Sequence, residues 1–99
     1  MLLLERIPTN IRNVLEKAPI IADWLVDCRD ELDPGEHFFV NIERLEETHD
    51  IFLSGSELAR EILMHEIRQR SEIAKVNCTT ASIRVRYTEP KMEIEPEMA

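Results

Sequence analysis

Apolar residues recur at helical spacing over the first third of the chain. Ile11, Val14, Leu15 and Ala18 open a stripe that Ile20, Ile21, Trp24, Leu25, Cys28 and Leu32 continue. Asp23, Asp27, Asp30 and Glu31 hold the opposite face. Thr9 or Asn10 supplies the helix cap. Pro19 lacks an N–H and clashes with the carbonyl four residues back, so it either opens a new helix or kinks one long helix. Asp33-Pro34-Gly35-Glu36 has the composition of a turn and ends this element.

From His37 to Leu45 the period changes to two. Phe38, Val40 and Ile42 share one face, with His37, Phe39, Asn41 and Glu43 on the other, which predicts a strand with Phe39 out of place on its polar side. Glu46-Glu47-Thr48-His49 is polar and unpatterned and reads as a loop. Asp50-Ile51-Phe52-Leu53 reads as a second strand, antiparallel to the first because the connection is short. Ser54 and Glu57 then have capping-box spacing, opening a helix whose apolar face is Leu58, Ala59, Ile62, Leu63, Ile67 and Ile73. Arg68, Arg70 and Lys75 suit the negative end of its dipole.

The last segment carries its own pairing. Folding the chain back at Glu89-Pro90 sets Tyr87 opposite Met92 and Val85 opposite Ile94. The same register sets Arg86 opposite Glu93 and Arg84 opposite Glu95. A terminal hairpin with one apolar and one ion-paired face is expected. Thr88-Glu89-Pro90-Lys91 is not a favoured tight turn, however, and a shift by two residues keeps the same faces. Leu2-Leu3-Leu4 is either a short edge strand or an apolar arm. The resulting order is α-β-β-α-β-β, and two amphipathic helices with four half-apolar strands assemble most economically as an α+β two-layer sandwich, helices on one face of an antiparallel sheet.

Length and composition fit one small domain over residues 1–99, with an acidic tail at 96–99. Cys28 and Cys78 are too few for a disulfide framework and sit in apolar-periodic segments, as buried thiols of a reducing compartment do. No run matches a signal peptide or a membrane span, so the expected location is cytoplasmic, with no membrane contact. Asn77-Cys78-Thr79 matches the glycosylation triplet by chance. The chain holds 20 acidic and 12 basic residues, net −8, which disfavours non-specific binding to duplex nucleic acid. Six bases and four acids between Glu57 and Thr88 nevertheless leave that segment at +2.

No spacing matches a catalytic signature. His65-Glu66-Ile67-Arg68-Gln69 begins like a zinc-protease helix but has Gln69 where the second histidine belongs. His37, His49 and His65 have no close ligand spacing with each other or with the cysteines. Cys28 lies near the wrong end of its helix for thiolate stabilisation. Asp23, Asp27, Asp30, Glu31, Asp33 and Glu36 lack the central glycine of a calcium loop. No cofactor and no metal are expected.

These readings predict a small acidic interaction or regulatory module without catalysis of its own. Asp23, Asp27 and Asp30 would meet a protein partner, possibly a basic one, and exposed Phe39 beside a free strand edge would mediate homodimerisation. The alternative is a nucleic-acid or nucleotide-phosphate binder using Arg68, Arg70, Arg84 and Arg86, with Phe39 as the stacking platform. The hairpin register opposes that alternative, because it sets glutamates against both strand arginines.

Overall fold

The computed structural model describes residues 7–33 and 35–88. Leu2–Leu4, the arm Met92–Glu95 and the tail 96–99 lie outside the described residues. Helix α1 (Thr9–Cys28) runs unbroken through Pro19, with Pro8 at its N-cap position, and a short 3-10 turn, Arg29–Glu31, follows it. Its buried residues, Ile11, Val14, Ala18, Ile21, Ala22, Leu25 and Cys28, form one helical face. Leu15, Ile20 and Trp24, expected on that stripe, fall outside it and are exposed. At the following turn the Glu36 N–H donates to the Asp33 carbonyl at 3.0 Å. Gly35 there takes a φ of +87°, a conformation that L side chains rarely adopt.

Strand β1 is shorter than its alternation suggests, ending at Asn41 (His37–Asn41). The Asn41 side chain accepts the Glu43 N–H at 2.7 Å and so caps a helix, α2 (Ile42–His49), where a continued strand and a polar loop were expected. Ile42 and Leu45, three residues apart, are its buried positions.

Asp50–Leu53 is not a strand either, because side chains satisfy its backbone. Asp50 turns the chain in the left-handed region, φ 56°, at the end of α2. The Glu46 carboxylate then accepts the N–H groups of Leu53 and Ser54 at 2.7 and 2.8 Å. Arg60 donates to the carbonyls of the same two residues. Ile51 and Leu53 are buried by this loop, while Phe52 lays its ring over Gly55, where a Cβ would come within 2.3 Å of it.

Helix α3 (Glu57–Arg68) is capped by Ser56, which accepts the Ala59 N–H, and not by Ser54. It buries Ala59, Leu63, Met64 and Ile67. It stops at Arg68, so Ile73 and Lys75 do not extend it. They belong to strand β2 (Ile73–Cys78), which turns through Thr79–Ala81 into β3 (Ser82–Tyr87). The order is therefore α-β-α-α-β-β.

The sheet is antiparallel with strand order β1-β3-β2. Both edges of β3 are occupied. Tyr87 pairs with Ile73, Val85 with Phe38 and Val76, and Arg84 with Phe39 and Asn77. The expected pairing of β3 with a following arm is replaced by these two earlier strands. Helices α1 and α3 pack on each other and, with α2, over one sheet face, enclosing a single core cluster that includes Val40, Val76, Ile83, Val85 and Tyr87. Each large side chain in it contributes about 1.5–3 kcal/mol by leaving water. Tyr87 keeps its hydroxyl satisfied by donating to the Leu25 carbonyl of α1.

Candidate functional site

Helices cover one face of the sheet and leave the other open, so strand alternation decides which side chains populate the open face. In β1, Phe38 turns inward and meets the Trp24 ring edge-on at 5.7 Å, so its neighbours His37, Phe39 and Asn41 point outward. In β3, Ile83, Val85 and Tyr87 are buried, leaving Arg84 and Arg86 exposed and Ser82 partly so. In β2, Ile73 and Val76 are both buried although they are three positions apart. A register irregularity between Ile73 and Lys75 absorbs the extra residue and leaves Lys75 and Asn77 exposed.

The pairing register aligns these positions in rows across the strands. One row is Phe39–Arg84–Asn77 and the next is His37–Arg86–Lys75, with Asn41 beside Ser82 beyond them. Rows of this kind are about 7 Å apart along a strand, and strands about 4.8 Å apart. His37, Lys75, Asn77, Arg84 and Arg86 line a shallow depression of about 250 Å³. Phe39 stands at its border and is 61% exposed.

The charge on this face is of one sign. No strand residue is Asp or Glu, so every acid among the described residues belongs to a helix or a connection. None of Lys75, Arg84 and Arg86 enters an ion pair among the described residues. An acidic chain thus presents a face of cations, amides and one aromatic ring.

The acidic docking face and the self-association residue, expected to serve two different contacts, lie on different surfaces, and the four expected arginines are divided as well. Asp23, Asp27 and Asp30 are exposed on α1 and the turn after it, in the helical layer, whereas Phe39 is on the outer face of the sheet. They do not form one surface. Asp23 also accepts from Arg70 at 3.0 Å. Arg70 itself is committed to packing, bridging Glu66 at 3.0 Å and donating to the Pro19 carbonyl at 3.3 Å, which ties α3 to α1. Arg68, at the end of α3, lines a separate depression that Glu57 and Glu61 share. Of the four arginines, Arg84 and Arg86 share the open face. Lys75, His37 and Asn77 join them there and were missed. The alternation of Lys75 and Asn77 against Val76 and Cys78 was the visible signal for the β2 pair.

Other polar groups have structural roles. Burial alone would raise the Glu46 carboxyl, but the backbone N–H groups of Ser54 and Leu53 hold it below the usual carboxylate value. Burial pushes both Cys28 and Cys78 up, away from thiolate character. His65 meets Gln69 at 2.7 Å, the side chain that stands where a zinc helix would carry its second histidine. Among the described residues no three metal-ligating side chains converge, and no helix is long and apolar enough to cross a membrane. Comparison with known protein families, with curated sequences and with solved structures finds no match.

Proposed function

We propose that this chain is a non-catalytic binding module and that the open face of the sheet is its working surface for an anionic partner. The observation that carries this reading is the pair of rows Phe39–Arg84–Asn77 and His37–Arg86–Lys75. They gather three cations that make no ion pair among the described residues on one side of a chain of net charge −8, with no acid in β1, β2 or β3. Arginine and lysine without acidic neighbours attract phosphate or carboxylate groups, and arginine can hold either with two parallel hydrogen bonds.

The acidic helical layer is part of the same reading. It repels polyanions everywhere except at the sheet, so a ligand approaches from one side and in contact with few cations. A second copy is a poor occupant, because a two-fold pairing through this face would set its cations against their own images. The acids Asp23, Asp27 and Asp30 then serve charge balance and orientation of approach in place of a docking role.

Titration with fluorescent inorganic polyphosphate at about 50 mM salt tests the reading, since electrostatic contacts are strongest at low salt. Binding is expected for the unaltered chain and for the triple variant D23N/D27N/D30N, and is lost in K75E/R84E/R86E. Absence of binding by the unaltered chain, or retention in the charge-reversed variant, would defeat the proposal.

A further inference from the structure

We infer that the anionic partner is a single strand of nucleic acid, one base of which stacks on Phe39 while Arg84, Arg86 and Lys75 hold its phosphodiester backbone. This rests on the assignment of the open sheet face as the binding surface and adds the chemistry of what binds there.

Three observations on the face distinguish a nucleic-acid strand from other polyanions. The first is Phe39, 61% exposed at the centre of an edge strand. A large apolar ring in that position leaves most of its surface in water, and the ring that does pack, Phe38, is its neighbour on the other side of the strand. A purely ionic ligand has no use for it, whereas a base offers a flat apolar surface of matching size. The second is the position of Arg84, directly across from Phe39 in the sheet register. A guanidinium there can pair with a phosphate beside the stacked base or lie flat against the base itself. The third is the uncharged part of the grid. Asn77 completes the Phe39 row, and Asn41 and Ser82 form the row beyond it, so hydrogen-bonding groups without charge flank the ring. A run of acidic side chains would leave the ring without a flat apolar partner.

A duplex fits poorly. Its bases are stacked inside, out of reach of Phe39, and its dense charge would meet the acids of the helical layer. Stacking on a single ring also implies a site that tolerates any base and either sugar, since every base has a flat face to offer. With three cations in contact, log K should fall against log salt with a slope of about −2, from roughly 0.7 per phosphate neutralised on a single strand.

Fluorescence anisotropy with labelled strands of about ten nucleotides tests this. The probes are DNA and RNA strands of the same mixed sequence, an abasic phosphodiester strand and polyglutamate of equal charge. The two base-bearing strands are expected to bind alike, with the shallow salt slope given above. Phe39→Ala and the abasic strand should each weaken binding roughly 5- to 150-fold, the range of one lost base–aromatic contact. Phe39→Tyr should restore it. Because Phe39 is exposed, its replacement should leave thermal unfolding unchanged, which separates lost stacking from lost folding.

Equal binding of abasic and base-bearing strands, with no effect of Phe39→Ala, would overturn the inference while leaving an anion-binding face. Binding of polyglutamate but of neither nucleic acid would overturn it in favour of an acidic protein segment. Failure of every probe at low salt would remove the underlying reading as well.

Discussion

The carboxamide of Asn10 both donates to the Phe52 carbonyl and accepts the Phe52 N–H, each at 2.8 Å, so that one side chain of α1 stands in for a paired strand. This is why the apolar run Ile51-Phe52-Leu53 does not need the sheet. Asn10→Ala should lower unfolding free energy by about 0.5–1.5 kcal/mol, the net worth of a hydrogen bond whose groups water can reach once it is broken. Asn10→Asp keeps the acceptor, loses the donor and should lie between. Denaturant unfolding of the two variants checks the order, and equal stability of wild type and Asn10→Ala would refute it.

Glu46 secures the same loop from the other side through the N–H groups of Leu53 and Ser54. Because its folded-state carboxyl titrates below the ordinary value of 4.5, its contribution is complete above that pH and is lost as pH falls through the lower folded value. Thermal unfolding should therefore show wild type more stable than Glu46→Gln at neutral pH, with the gap closing in acid. A gap that widens in acid would reverse the assignment.

Tyr87 behaves in the opposite sense. Burial raises its phenol above the ordinary value of 10.0, so the folded state holds the proton that the unfolded state releases. Its stabilisation is present below pH 10 and falls away as pH rises beyond it. Tyr87→Phe should cost about 1 kcal/mol at neutral pH, from the lost bond to the Leu25 carbonyl. That variant should also show a weaker alkaline decline in melting temperature than the unaltered chain.

Arg70 pairs with two carboxylates of unequal exposure, Asp23 across on α1 and Glu66 one turn back on α3. The side chain of Asp23 is 72% exposed and that of Glu66 28%. Water screens the first pair more, so a double-mutant cycle should give Arg70–Asp23 a coupling below about 0.5 kcal/mol and Arg70–Glu66 a larger one. The reverse ranking would show that the link between the two helices, and not screening, governs these pairs.

How far the sequence could be read depended on whether a residue's environment is local. The outward facing of Arg84 and Arg86 and the inward facing of Val85 and Tyr87 followed from strand alternation alone and are as expected. Their partners were misassigned, because β1 reaches β3 from a distant part of the chain, β2 was hidden in the helical period before it, and nearby Glu93 and Glu95 offered a tempting local register. Asn41 was read as one more polar strand position although it is a strong capping residue. Ile42 and Leu45 are then three positions apart, as on one face of a helix. Ile73 continued the helical period of α3 by coincidence, which hid Lys75 and half of the open face. Phe39, conspicuous on a polar side, is exposed on the open face of the sheet, as its place in the alternation suggested. Its companions could be found only once β2 was recognised as a strand.

The arrangement of strands also has a consequence for the order of assembly. β1 and β2 do not touch; each is joined only to β3, which is the last of the three to be made. During synthesis the early strand at His37–Asn41 must wait, unpaired, until Ser82–Tyr87 has left the ribosome. A chain stopped short of Ser82 has no sheet at all, not a smaller one. The rows of the open face are therefore completed only when the last strand pairs with its hairpin neighbour β2 on one side and with the far earlier β1 on the other, and products truncated before Ser82 carry none of these rows.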